Sequence, residues 1–191
     1  ALAMLNRLRQ IAIHTKLVEQ NDSGESGKFD NIVFTISTLM EQGHKFLIFS
    51  SFVKHLNLFA EYFIQNNIAY SMLTGKDRKN RQTIVKNYQE NPEIKPFLIS
   101  IKAGGLGLNI TAASYVLIID PWWNPFVEQQ AIDRTHRIGQ TENVMVYKYI
   151  TRDSIEEKMM VLQQSKIALN DKLIGKMPTG KFKIEDIEKL L

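Results

Sequence analysis

The chain has 191 residues, 44% of them hydrophobic and 23% charged, which suffices for one well-filled core and excludes a chain disordered throughout. It contains no cysteine, which excludes disulfides and thiolate zinc sites and fits an intracellular protein, and its four histidines are too scattered to form a metal set. A net charge of +4 permits a nucleic-acid partner without requiring one, and no apolar run approaches the roughly 18 residues of a membrane span.

The first residues, Ala1 to Arg7, lack the features of a signal peptide and read as the middle of a longer chain. Residues 2–13 predict a helix with Leu5, Leu8 and Ile11 in line, and 20–27 a flexible loop. Five short apolar runs follow: Phe46–Phe49, Tyr70–Leu73, Phe97–Ser100, Val116–Ile119 and Val144–Tyr147. Most are continuous rather than alternating, as in strands covered on both faces. Amphipathic segments alternate with them. Phe29–Glu41 carries Ile32, Ile36 and Leu39; Val53–Gln65 carries Leu56, Phe59 and Phe63; Arg78–Glu90 carries Ile84 and Tyr88. The alternation predicts an α/β class with a mostly parallel central sheet flanked by helices. After Thr151 a long helix is expected, with Ile155, Met159, Leu162, Leu169 and Leu173 on one stripe and Gly175 and Pro178 ending it.

Two glycine segments mislead. Ser26-Gly27-Lys28 resembles the end of a phosphate loop, but Asp22 and Phe29 stand where glycine and Ser or Thr are needed, so a solvated loop is expected. Gly105-Leu106-Gly107 lacks the third glycine of a dinucleotide fingerprint, because Ile110 occupies that place. The longer stretch Ser100 to Thr111 is more informative. It follows a buried strand and so lies where open α/β sheets bind ligands. Gly104 and Gly105 let backbone amides approach an anion, and Lys102 adds charge beside them. The alternative is a tight turn, for which one glycine would suffice.

Farther on, Asn124 can cap a helix whose first residue is Pro125. Gln130, Arg134 and Arg137 then share one face, and two guanidinium groups can clamp a phosphate in transfer. Spacing alone serves an exposed Asp133–Arg137 pair equally well. His136 reads as structural.

Taken together, Lys-Ala-Gly-Gly-Leu-Gly-Leu-Asn (102–109), Trp-Asn-Pro (123–125) and Gln-Ala-Ile-Asp-Arg-Thr-His-Arg-Ile-Gly-Gln (130–140) closely resemble motifs V and VI of the Snf/Swi-type DNA-translocating ATPases of helicase superfamily two. The likeness extends from about residue 4 to 175. It takes in the lead-in helix around Leu5–Gln10, a motif-IV-like segment at Lys45–Phe52, Leu73-Thr74-Gly75, and the start of a brace helix at Ile155–Lys158.

The resemblance implies the second of two RecA-like lobes, with ATP and Mg2+ bound in the cleft between them. The phosphate loop and magnesium ligands would belong to a first lobe not contained in these residues, so the isolated chain is expected to be inactive. Arg134 and Arg137 map to arginine fingers, Gln130 to ordering their helix, and Gly107 and Asn109 to the cleft. Ser50, Ser51, Thr74, Gly75, Lys102, Gly104 and Gly105 map to positions facing the phosphates of double-stranded DNA. Trp123 would sit near the DNA and couple grip to nucleotide state, with a core indole as its alternative; for Trp122 the core reading is favoured. The implied organisation is a lead-in helix and loop over 1–27, the lobe over 28–150, the brace over 151–176 and a tail over 177–191. Two departures stand out: residues 76–81 lack the Ser-Thr common in the family, and Pro121-Trp122 replaces a more polar pair. Rival readings are a non-catalytic DNA-binding module of the same fold, an RNA helicase lobe, and a nucleotide-binding oxidoreductase domain.

Overall fold

The computed structural model describes residues 2–19, 24–77, 79–104, 110–133 and 144–172. Five strands form one parallel sheet in the order β2-β3-β1-β4-β5: β1 Phe46–Ser50, β2 Ser71–Leu73, β3 Pro96–Ser100, β4 Tyr115–Ile118 and β5 Met145–Lys148. The described helices are α1 Leu2–Ile13, α2 Gly27–Glu41, α3 Val53–Gln65, α4 Arg81–Glu90, the short α5 Ile101–Gly104, α6 Pro125–Asp133 and α7 Ile155–Lys172. No described helix is long and apolar enough to cross a membrane.

The continuous apolar runs have a simple cause. Successive side chains of a strand point to opposite faces, and here both faces are covered. In β1, Phe46 and Ile48 pack against Ile32, Ile36, Phe59 and Phe63 of α2 and α3. Leu47 and Phe49 pack on the other face with Val85 and Tyr88 of α4. β3 and β4 repeat the division, with Phe97, Ile99, Val116 and Ile118 on the α4 side and Leu98 and Leu117 on the other. β5 is the exception. It pairs only with β4 among the described strands, and Met145 and Tyr147 are exposed, so the expected buried strand is an edge strand.

Two helix faces also differ from expectation. In α1 the buried residues are Leu5, Arg9 and Ile13, while Leu8 and Ile11 are exposed. In α7, which packs on α1, the buried residues are Glu156, Met159 and Gln163, with Ile155 and Leu162 only partly covered. In both helices, charged or amide side chains with specific partners displaced apolar ones from the inner face. Leu169 and Leu173 fall outside the described side chains. Arg81 rather than Arg78 begins α4, Asn80 standing at its N-cap.

The Ser26-Gly27-Lys28 segment is not the solvated loop expected of it. Ser26 caps α2, its hydroxyl accepting from the Phe29 backbone N–H at 3.2 Å. Lys28 is buried against Glu156 of α7, with Nζ 2.7 and 2.8 Å from the two carboxylate oxygens. Burial lowers the Lys28 pKa, opposed by the adjacent carboxylate.

Candidate functional site

The carboxyl ends of β1, β2 and β3 open onto a groove of about 690 Å3. Its lining brings together Ser51, Thr74, Gly75 and Lys102, four of the residues expected at DNA phosphates, with Ser100, Asn57 and Lys76 beside them. Parallel strands place their ends on one edge, so residues far apart in sequence converge there. A Cβ at Gly75 would meet nothing within 4 Å, so the glycine leaves open space on the groove side. Ser100 forms part of the lining, 5% exposed, and its hydroxyl has no hydrogen-bond partner among the described residues. Asp77 introduces the opposite charge and organises the β2 turn: its carboxylate accepts from the backbone N–H and the hydroxyl of Thr74, both at 2.8 Å.

Two expected groove residues are placed differently. Ser50 is fully buried; its hydroxyl donates to Asp120 and accepts from the Phe52 backbone N–H at 3.0 Å. Gly104 is buried, and a Cβ there would stand 2.7 Å from the Phe49 ring. Its small size is therefore required by packing, whatever its backbone amide contacts. Gly105, Gly107, Asn109, Arg134, His136 and Arg137 lie outside the described residues.

Behind the groove is a buried polar cluster that the sequence reading did not single out. Asp120, just beyond β4, accepts from both serine hydroxyls, from the Ser51 backbone N–H at 2.9 Å, and from His55 Nδ1 at 3.3 Å. Burial alone would raise the Asp120 pKa; the bonds from His55, Ser50 and Ser51 outweigh it and hold the carboxyl at about 2. His55 is fully buried, and desolvation lowers its pKa despite Asp120, so a neutral ring donates from Nδ1. Arg9 completes the cluster from α1. Its Nη2 donates to Ser51 Oγ at 2.9 Å and to the Pro121 carbonyl at 2.8 Å, and stands 3.8 Å from Asp120 Oδ1. Desolvation lowers the Arg9 pKa, countered first by Asp120. A run of apolar residues in α1 hid this arginine from the sequence, and Asp120 read only as the end of a strand.

α6 begins as expected. Asn124 Oδ1 accepts from the Phe126 backbone N–H at 3.1 Å, with Pro125 as first helical residue. Gln130, the one described member of the expected cleft set, is on the exposed side of this helix. On the inner side, Glu128 is buried and accepts from the Trp122 N–H, from Lys148 Nζ at 2.8 Å and from Gln163 Nε2 of α7 at 3.0 Å. Trp122 packs on the core as expected, whereas Trp123 packs with Leu5 and Met159 and faces the Arg9 guanidinium, 4.8 Å from its ring centroid. Among the described residues no group of three or more histidine, aspartate or glutamate side chains could hold a metal ion.

The helicase conserved C-terminal domain matches residues 27–139. The chromatin-remodeling ATPase INO80 of Candida albicans and the DNA repair protein rad8 of Schizosaccharomyces pombe are each 38% identical over 154 residues, 80% of this chain. The chain spans 11% and 13% of their respective lengths. A solved Sulfolobus solfataricus SWI2/SNF2 ATPase core in complex with dsDNA matches with a TM-score of 0.75 and 34% identity, covering 91% of this chain and 37% of that one.

Proposed function

This chain belongs to the helicase C-terminal domain of the SNF2/SWI2-family ATPases, and on that premise we propose that it is the second motor lobe of an ATP-dependent double-stranded DNA translocase. The observation that carries the proposal is the groove at the carboxyl ends of β1, β2 and β3, with Ser51, Thr74, Gly75 and Lys102 in its lining. Hydroxyls, a glycine turn and lysines suit a phosphate backbone and carry little base information. Gly105 adds backbone amides to this grip. Ser50 and Gly104 shape its floor from beneath, and Trp123 borders it through Arg9.

On the nucleotide side, Arg134 and Arg137 act as arginine fingers, with Gly107, Asn109 and Gln130 lining this lobe's side of the cleft. ATP and Mg2+ are held chiefly by the first lobe, which supplies the phosphate loop and metal ligands. Closure of the two lobes on ATP brings the arginines to the phosphates while the groove holds a tracking strand; hydrolysis releases closure, and repetition moves the motor. The isolated lobe does not turn over ATP. The relatives named for chromatin remodelling and DNA repair support a nuclear setting.

In the full two-lobe protein, Arg137→Ala is expected to lower DNA-stimulated ATP turnover by about 10³-fold or more while ATP binding persists. Undiminished turnover removes the finger assignment. Lys102→Ala is expected to weaken DNA binding and reduce the slope of log affinity against log salt by about 0.9, one phosphate contact. An unchanged slope removes Lys102 from the interface.

A further inference from the structure

We infer that Arg9 is a positioning residue for the DNA grip, holding the groove serine Ser51 in register with the start of α6. The inference rests on the reading of the groove as the DNA site.

Arg9 is 2% exposed, and one nitrogen of its guanidinium group, Nη2, bonds two segments that are distant in sequence: Ser51 Oγ, in the lining of the groove, and the Pro121 carbonyl beyond β4. The same planar group lies between two rings, 4.7 Å from the centroid of Phe52 and 4.8 Å from that of Trp123. It therefore touches the residue after Ser51 and the residue before the α6 cap. Meanwhile its buried Nε has no acceptor among the described residues. A buried cation with an unused donor is a costly way to fill a core position, and an apolar side chain of similar volume would hold α1 in place at least as well. What an apolar side chain cannot do is fix the Ser51 hydroxyl, the Pro121 carbonyl and the Trp123 ring at once.

The arrangement makes a short mechanical chain. α6 carries Gln130, and Arg134 and Arg137 follow it in sequence. A shift of α6 moves Trp123, which moves the guanidinium against it, which draws on the Ser51 hydroxyl at the groove. Asp120 holds the other end, accepting from Ser51 and pairing with Arg9. Lysine keeps the charge and can donate to two acceptors, but it lacks the planar group that packs on both rings while doing so.

The test is a double-mutant cycle in the full two-lobe protein, reading the DNA concentration that half-maximally stimulates ATP turnover. Ser51→Ala is expected to raise that concentration about five-fold, the worth of one hydrogen bond. Arg9→Lys is expected to raise it by a comparable factor and no more. The double variant is expected to be no worse than Ser51→Ala alone, because the arginine acts through the serine. Unchanged stimulation in Arg9→Lys overturns the inference, and so does a double variant equal to the product of the two single effects. If the Arg9 variant fails to fold, Trp123→Leu combined with Ser51→Ala probes the same link from the far side of the guanidinium. Non-additive effects are then expected, and strict additivity overturns the inference. Lys102→Ala is measured alongside. If it and Ser51→Ala both leave DNA affinity untouched, the groove reading fails and Arg9's role with it; if both weaken binding and Arg9→Lys does not, only Arg9's role falls.

Discussion

Ser50 and Ser51 are adjacent at the end of β1, yet they belong to different regions. Ser50 is fully buried, and its hydroxyl is taken up by Asp120 and Phe52. Ser51 is partly exposed and shared between the buried cluster and the groove. The buried region, with Arg9, Asp120 and His55, and with Lys28–Glu156 and Glu128–Gln163 along α7, is dense in partnered polar groups. The groove has the exposed side chains of Lys76 and Lys102, a glycine whose missing side chain leaves room, and a buried serine hydroxyl with no described partner. Polar residues thus serve opposite ends: desolvated and paired they dock helices, while exposed or left unpaired they are available to a ligand.

The contrast can be broken most forcefully at Asp120. Asp120→Ala strands Ser50, Ser51, His55 and Arg9 together, and a loss of about 3–5 kcal/mol is expected in urea unfolding. A loss below about 1 kcal/mol would instead place Asp120 with the groove. Glu156→Ala strands buried Lys28 and should cost about 2–3 kcal/mol, rather less because lysine can reach solvent along its flexible stem. The double variant Lys28→Met/Glu156→Leu should recover most of that loss, since the pair itself is of small net worth once desolvation is counted.

A pH experiment sharpens the same comparison. His55 has a lowered pKa in the folded protein, so its contribution is complete above its ordinary value near 6.5 and declines as pH falls below it. Unfolding free energy should therefore drop by about 1–2 kcal/mol between pH 7 and pH 5. His55→Asn, which retains a donor for Asp120, should flatten that part of the profile. Asp120, held at about 2, should add its own loss only below about pH 4, its carboxyl being protonated in the unfolded chain first. An unchanged slope in His55→Asn would mean that the histidine takes up its proton equally in the folded and unfolded chains. The smallest stability effect is expected at Lys102: the alanine variant that weakens DNA binding should leave the denaturation midpoint where it is, because the side chain is exposed.

Much of this architecture was legible because it follows local pattern. β1, β3 and β4 announce themselves through continuous apolar runs, and Asn124-Pro125 marks the start of α6. The glycine and arginine motifs identify the family without any coordinates. The buried polar cluster was not legible, for a particular reason in each case. Arg9 lies among Leu5, Leu8 and Ile11, and apolar periodicity selects the leucines. Lys28 follows serine and glycine, which read as loop. Glu156 and Gln163 sit on the inner face of a helix whose aliphatic residues suggest a different stripe. A charge is buried only when a partner from elsewhere compensates it, and that partner is 128 positions away for Lys28 and 111 for Arg9.

Hydrophobic periodicity, cap residues and motif spacing are local properties, and they suffice for the parallel α/β class, most of its elements and the family. The meeting of Ser51, Thr74, Gly75 and Lys102 at one groove, with Ser50 turned inward to Asp120, came from the folded chain alone. So did the place of Arg9 between the groove and α6. Convergence of strand ends and the pairing of desolvated charges depend on which distant residues become neighbours, and that is settled by the packing of the whole sheet and its helices.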